Sequence, residues 1–120
     1  MIVVTDPRAD SFGAAVGILV PLRTDLAELI VAGGGEETSR HMPVADALEA
    51  LAHAVEARPA LQVRTAVLEW DDFRFGRDDA GYHLERGGRR LVENIDLIAA
   101  CLASARSIRV AHPIKLPLAG

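Results

Sequence analysis

The sequence predicts one α/β domain, built on a mixed five-strand sheet in the order 3-2-1-4-5 with two helices on one face. The first observation is the opening stretch, residues 2–6, in which three apolar β-branched residues, Ile2, Val3 and Val4, run together without polar alternation, as in a central strand buried on both faces. The second is that two amphipathic helical segments, residues 43–57 and 91–105, are each followed by a strand-like segment. Strand–helix–strand units place their strands in parallel through right-handed crossovers.

Three predicted strands open the chain. The first covers residues 2–6 and ends at Pro7, which cannot donate a ladder hydrogen bond. The second covers residues 14–20 and the third residues 26–32, before three consecutive glycines. Because the links between them are short, we expect an antiparallel meander with the first strand in the middle of the sheet.

The first helix is predicted over residues 43–57. Pro43 suits the first helical position, and one apolar stripe follows it: Val44, Leu48, Leu51 and Val55. A fourth strand is predicted over residues 62–70 from the alternation of Val63, Thr65 and Val67.

The remaining chain alternates polar and helical segments. Residues 73–90 are polar and glycine-rich and predict a hairpin-like excursion, with turns at residues 79–81 and 87–88. The second helix is predicted over residues 91–105, and residues 107–111 are predicted to be the fifth strand. The apolar stripe of that helix is Leu91, Ile95, Ile98, Leu102 and Ala105.

Composition limits the possible functions. The 120 residues suit a single domain, residues 1–120, and half of them are hydrophobic. The formal net charge of −4 does not support general nucleic-acid binding, which needs clustered basic residues. We expect no membrane span and no signal peptide, because no apolar run is long enough. The single cysteine, Cys101, cannot form an internal disulfide, so a cytoplasmic location is the expectation, and Cys101 is expected to be inert packing.

Acidic residues follow two of the predicted strands. Asp6 ends the central strand, and Asp71 and Asp72 end the fourth strand. An acid at the end of a buried strand is a common place for a catalytic or metal-binding carboxylate. The alternative is that Asp6 begins a turn with Pro7, and that Asp71 and Asp72 lie in a solvated loop.

Three local matches resemble the ribonuclease H family. Residues 3–6, Val-Val-Thr-Asp, are similar to the strand with which the family opens, ending Thr-Asp-Gly-Ser. Residues 38–43, Thr-Ser-Arg-His-Met-Pro, are similar to Thr-Asn-Asn-Arg-x-Glu before the first helix. Residues 87–97 carry Gly-Gly-Arg-Arg-Leu-Val-Glu-Asn-Ile-Asp-Leu, similar to Gly-Lys-x-Val-x-Asn-x-Asp-Leu.

The resemblance implies a site of four acids holding two Mg²⁺ or Mn²⁺ ions. Asp6 matches the first acid, and Asp71 or Asp72 matches the third. Pro43 stands where the second acid, a Glu, is expected, and Asp46 follows one turn later. The fourth acid has no counterpart, and only His112 matches the loop that carries it. We therefore expect no cleavage of RNA–DNA hybrids and no cofactor. If the chain is a nuclease after all, Asp6 and Asp71 are the candidate ligands for Mg²⁺ or Mn²⁺.

Three functions follow as alternatives. The first is a catalytically degenerate ribonuclease-H-like domain that serves as a binding or assembly module. The second is a metal-dependent nuclease with a rearranged site formed by Asp6, Asp46, Asp71 and Asp72. The third is an unrelated small α/β protein, either an immunity-type interaction protein or a small-molecule enzyme.

The last expectation concerns the sheet face opposite the helices. In the family a C-terminal helix covers that face, whereas residues 116–120 of this chain, Leu-Pro-Leu-Ala-Gly, are too short to replace it. The predicted strands are apolar on both sides, and exposed apolar faces of that size are rare in monomers. We expect a homodimer formed through this face, with a different protein partner as the alternative.

Overall fold

A computed structural model describes residues 1–6, 15–23, 25–33, 36–56 and 61–111. In these ranges the chain forms four strands, one helix, four more strands and a second helix. The elements are β1 (Ile2–Thr5), β2 (Ala15–Arg23), β3 (Leu26–Gly33), β4 (Glu36–Pro43), α1 (Val44–Val55), β5 (Gln62–Trp70), β6 (Phe73–Asp78), β7 (Gly81–Arg86), β8 (Arg89–Asn94) and α2 (Leu97–Ala111).

The eight strands form one sheet in the order β4-β3-β2-β1-β5-β6-β7-β8, with every neighbouring pair antiparallel. β1 lies inside the sheet between β2 and β5, as the sequence predicted. The five-strand mixed sheet was wrong. β5 is the strand predicted as the fourth, and it pairs with β1 antiparallel instead of parallel.

Two segments extend the sheet beyond the prediction. β4 carries the polar sequence Glu-Glu-Thr-Ser-Arg-His-Met-Pro and pairs with β3 over its whole length. Residues 73–94, predicted in part as an excursion, form the meander β6-β7-β8. Gly87 and Gly88 have φ values of 56° and 81° and join β7 to β8, since a two-residue hairpin turn of this kind needs positive φ at both positions.

Helix α1 confirms the predicted stripe, because Val44, Leu48, Leu51 and Val55 are all buried. The helix lies close to the sheet at Gly17 of β2. A Cβ atom at Gly17 would lie 2.6 Å from Leu51 Cδ1, so only glycine allows this approach without a rearrangement.

Helix α2 begins later than predicted. The Asp96 carboxylate accepts a 2.9 Å hydrogen bond from the Ala99 amide, and this satisfies one free donor of the first turn. Leu91 therefore belongs to β8, and Ile95 lies before the helix with 85% of its surface exposed. Residues 107–111 continue α2 and are not a fifth strand. The stripe that α2 buries is Leu97, Ala100, Cys101, Ser104, Ala105 and Ile108.

Both helices lie on the same face of the sheet, as predicted, and pack against each other. Their side chains share one core with the inward residues of the strands, for example Ile2, Leu19, Leu68 and Phe75. The smallest dimension of the molecule is 23 Å, which fits one sheet and one helix layer. In the described ranges, no helix is long and apolar enough to span a membrane.

Candidate functional site

The predicted acids do not come together. Asp6 follows Thr5, which pairs with Gln62 at the start of β5, whereas Asp71 follows the last residue of β5. Nine residues of extended strand separate these positions, a distance of about 30 Å. The reason is that β1 and β5 are antiparallel. The carboxyl ends of two antiparallel neighbours lie at opposite ends of the strands. Asp6 and Asp71 therefore cannot share a metal ion.

Asp71 and Asp72 form the turn between β5 and β6. Asp71 has a φ of 51°, a left-handed conformation that aspartate tolerates better than most residues. Asp72 Oδ2 accepts a 2.9 Å hydrogen bond from Arg86 Nε. The Arg86 guanidinium also lies 5.0 Å from the centre of the Phe73 ring. These contacts tie the turn to β7 and give Asp72 a structural role.

Asp46 joins the two helices. Arg109 of α2 donates to Asp46 Oδ1 at 2.6 Å and to Glu49 Oε2 at 2.8 Å. The hydrogen bond from Arg109 lowers the pKa of Glu49. The described ranges contain no group of three or more His, Cys, Asp or Glu side chains that could hold a metal. His112 lies outside the described residues.

The face of the sheet opposite the helices, here called the open face, has an apolar centre. Val3 pairs with Ile18, and Ile18 pairs with Ile30 across β1, β2 and β3. All three are partly exposed, whereas their neighbours Ile2, Leu19 and Leu29 point to the helices and are buried. We call the outward apolar residues the apolar strip: Val3, Ile18, Val20, Ile30 and Val67, of which Val67 is 40% exposed.

Charged side chains flank the strip on β6, β7 and β8. One outward row runs across the sheet as Glu69, Arg74, Glu85 and Arg90. Arg90 donates to Glu85 at 2.9 Å and to Glu93 at 2.8 Å. The hydrogen bond from Arg90 lowers the pKa of Glu85. This cluster balances part of its charge internally.

His83 lies within the charged flank. Its pairing partner is Gly76, and a Cβ atom at that glycine would lie 3.3 Å from His83 Nε2. The glycine thus makes room for the imidazole, which is only 8% exposed although it is on the open face. His83 Nδ1 lies 3.6 Å from Asp78 Oδ2, and Nε2 lies 3.9 Å from Glu85 Oε1.

Sequence reasoning missed this flank because residues 73–90 were assigned to an excursion outside the sheet. The pattern that could have revealed it is the alternation of Phe73 and Phe75 with Arg74, followed by Tyr82 and Leu84 alternating with His83 and Glu85.

The open face therefore offers a broad, shallow surface with an apolar centre and a charged flank, a geometry suited to binding another macromolecule. In comparisons with protein-family models, curated proteins and solved structures, none matches this chain.

Proposed function

We propose that the chain is a binding and assembly module that forms a homodimer through the open face. The observation that carries the proposal is the one-sided packing of the sheet. Both helices cover one face, while the apolar strip on the other face has no covering layer among the described residues. Apolar side chains in contiguous rows are a property of interfaces more than of free surfaces.

The open face is large enough for a stable interface. The strands have four to nine residues each, and with about 3.3 Å per residue and about 4.8 Å between strands they give a surface of roughly 900 Å². A standard protein–protein interface buries about 800 Å² on each partner. The area of the open face is thus sufficient for an interface with one protein partner.

A second copy fits this surface because the apolar strip is central. β1 and β5 are the fourth and fifth of the eight strands, and the strip lies on β1, β2, β3 and β5. A two-fold axis through the apolar strip packs the strip of one copy against the strip of the other. One self-complementary patch is therefore sufficient to form a dimer. The charged flanks then form the rim, as in most interfaces.

Sedimentation velocity of the purified chain tests the proposal. We expect a dimer at micromolar concentration, and we expect Val67→Glu to give a monomer, because it buries a charge without a partner in the strip. The matched control is Val110→Glu, since Val110 is 80% exposed on α2, away from the open face. This variant should stay dimeric.

Circular dichroism and thermal unfolding of both variants show whether they keep the fold. A wild-type monomer at these concentrations would overturn the proposal. So would a dimer that survives in the folded Val67→Glu variant and dissociates in Val110→Glu.

A further inference from the structure

A groove lies beside α1, on the helix side of the sheet and away from the open face. Leu29 and Val31 of β3 form its floor. Ala50, His53 and Ala54 of α1 form one wall, and Thr38 and Arg40 of β4 form the other. The groove has a volume of about 680 Å³, which is within the range of small-molecule sites.

The position of α1 leaves this groove open. α1 packs mainly on β2 and β3, and it barely reaches the edge strand β4. In the second half of the chain, α2 packs on β8, which is the opposite edge strand, and on β7. Among the described residues, a helix covers the inner face at the β8 edge, whereas the inner face at the β4 edge is left open to a ligand.

Arg40 gives the groove a specific chemistry. It pairs with Leu29 in the β3–β4 ladder, so its side chain starts on the helix side of the sheet and lines the groove. The Arg40 side chain makes no hydrogen bond or ion pair with any described residue. An unpaired guanidinium beside an apolar floor is suited to a carboxylate, which it can hold through two parallel hydrogen bonds.

The dimensions of the floor limit the apolar part of the ligand. Leu29 and Val31 are two strand positions apart, about 7 Å. Ala50 and Ala54 are four helix positions apart, about 6 Å. This length accommodates one aromatic ring or a short acyl chain, and it is too short for a long fatty acid. Thr38, which pairs with Val31, adds a hydroxyl at the end of the floor away from Arg40.

We propose that this groove is a binding site for a small monocarboxylic acid with an aromatic ring or short acyl chain. Arg40 binds the carboxylate, and Leu29, Val31, Ala50 and Ala54 contact the apolar part. The groove shares no residue with the open face, so this proposal can be tested independently of the proposed dimer.

Titration of the ¹⁵N-labelled chain with 3-phenylpropionate, followed by amide chemical shifts, tests the site. We expect saturable shifts at residues 38–40 and 50–54, with the neutral analogue 3-phenylpropionamide binding at least about ten-fold more weakly, since a hydrogen bond to a charged group is lost. Arg40→Gln should weaken binding of the acid by about ten-fold and leave binding of the amide unchanged.

Two further variants distinguish binding in the groove from nonspecific binding to exposed arginines. Arg89→Gln removes another exposed arginine that has no partner among the described residues, and it should leave binding of the acid unchanged. Ala54→Leu fills the groove and should abolish binding of both compounds in a chain that is still folded. Absence of shifts at the groove at millimolar acid, equal binding of acid and amide, or an Arg40→Gln variant with wild-type affinity would each overturn the proposal.

Discussion

Asp71 shows how the position of a single residue can be predicted while two roles, metal ligand and turn residue, stay open. Its place directly after β5 was predicted, and the structure gives it a left-handed turn conformation. Aspartate is common at such positions because its side chain tolerates positive φ and binds nearby backbone groups. An acid after a strand is therefore ambiguous in sequence, since the same residue type serves turns and metal sites.

Cys101 provides a prediction at the residue scale. Burial in α2, with a smaller effect from the Asp96 carboxylate, raises the pKa of the Cys101 thiol to about 12. A raised pKa keeps the thiol neutral from acidic pH up to that value, and the thiolate is the reactive form. We expect no reaction of the folded chain with Ellman's reagent at about pH 8. The same reagent should label one thiol per chain in concentrated guanidinium chloride. Rapid labelling of the folded chain would contradict the buried position.

At the element scale, the apolar stripe predicted α1 well and α2 poorly. In α1 the stripe follows Pro43 directly, so the sequence determined both the first residue of the helix and the face that it buries. For α2 the predicted stripe included Leu91 and Ile95, which lie before the helix. The feature that decides the helix start is the pair Asn94 and Asp96: Asn94 Oδ1 accepts from the Asp96 amide, and Asp96 caps α2.

Two truncations test the corrected phase. Leu48 of α1 is fully buried, and Leu48→Ala should lower the free energy of unfolding by about 2–5 kcal/mol. Ile98 of α2 is only half-buried, so Ile98→Ala should cost less, about 1 kcal/mol. Urea unfolding of both variants measures the difference. Equal losses would mean that Ile98 faces the core, as the earlier start of the helix had implied.

The polar edge strand β4 explains why the direction of β5 could not be predicted. With three strands before the helix, the chain would return parallel to β1. The fourth strand, β4, reverses the direction of the chain once more, so β5 runs antiparallel to β1. β4 lacks an apolar pattern because edge strands commonly carry charges, and its stability comes from the ladder to β3, not from its own sequence. The apolar strands β1, β2, β3 and β5 were predictable because burial determines their composition.

At the scale of the whole molecule, the chain consists of two successive units of four strands and a helix. They join through the antiparallel pair β1 and β5, and through the packing of α1 on α2. The arrangement places both helices on one side, and no layer of described residues covers the open face.

Ionic strength tests what covers that face. Each chain carries a formal net charge of −4, so two copies repel. On the outward rows through Val67 and Glu69, the acids Glu69, Glu85 and Glu93 outnumber the arginines Arg74 and Arg90.

Salt screens like charges at a rim, with a Debye length of about 10 Å at 0.1 M, while burial of the apolar strip is not weakened. We therefore expect the dimer dissociation constant to fall by about three-fold or more between about 0.05 and 0.5 M NaCl, as measured by sedimentation equilibrium. The Val110→Glu variant adds one further negative charge to each chain outside the strip. This variant should remain dimeric, and its dimer dissociation constant should also fall as the salt concentration rises. A dimer that weakens as salt rises would mean that opposite charges hold it together, and the apolar strip would then not be its main contact.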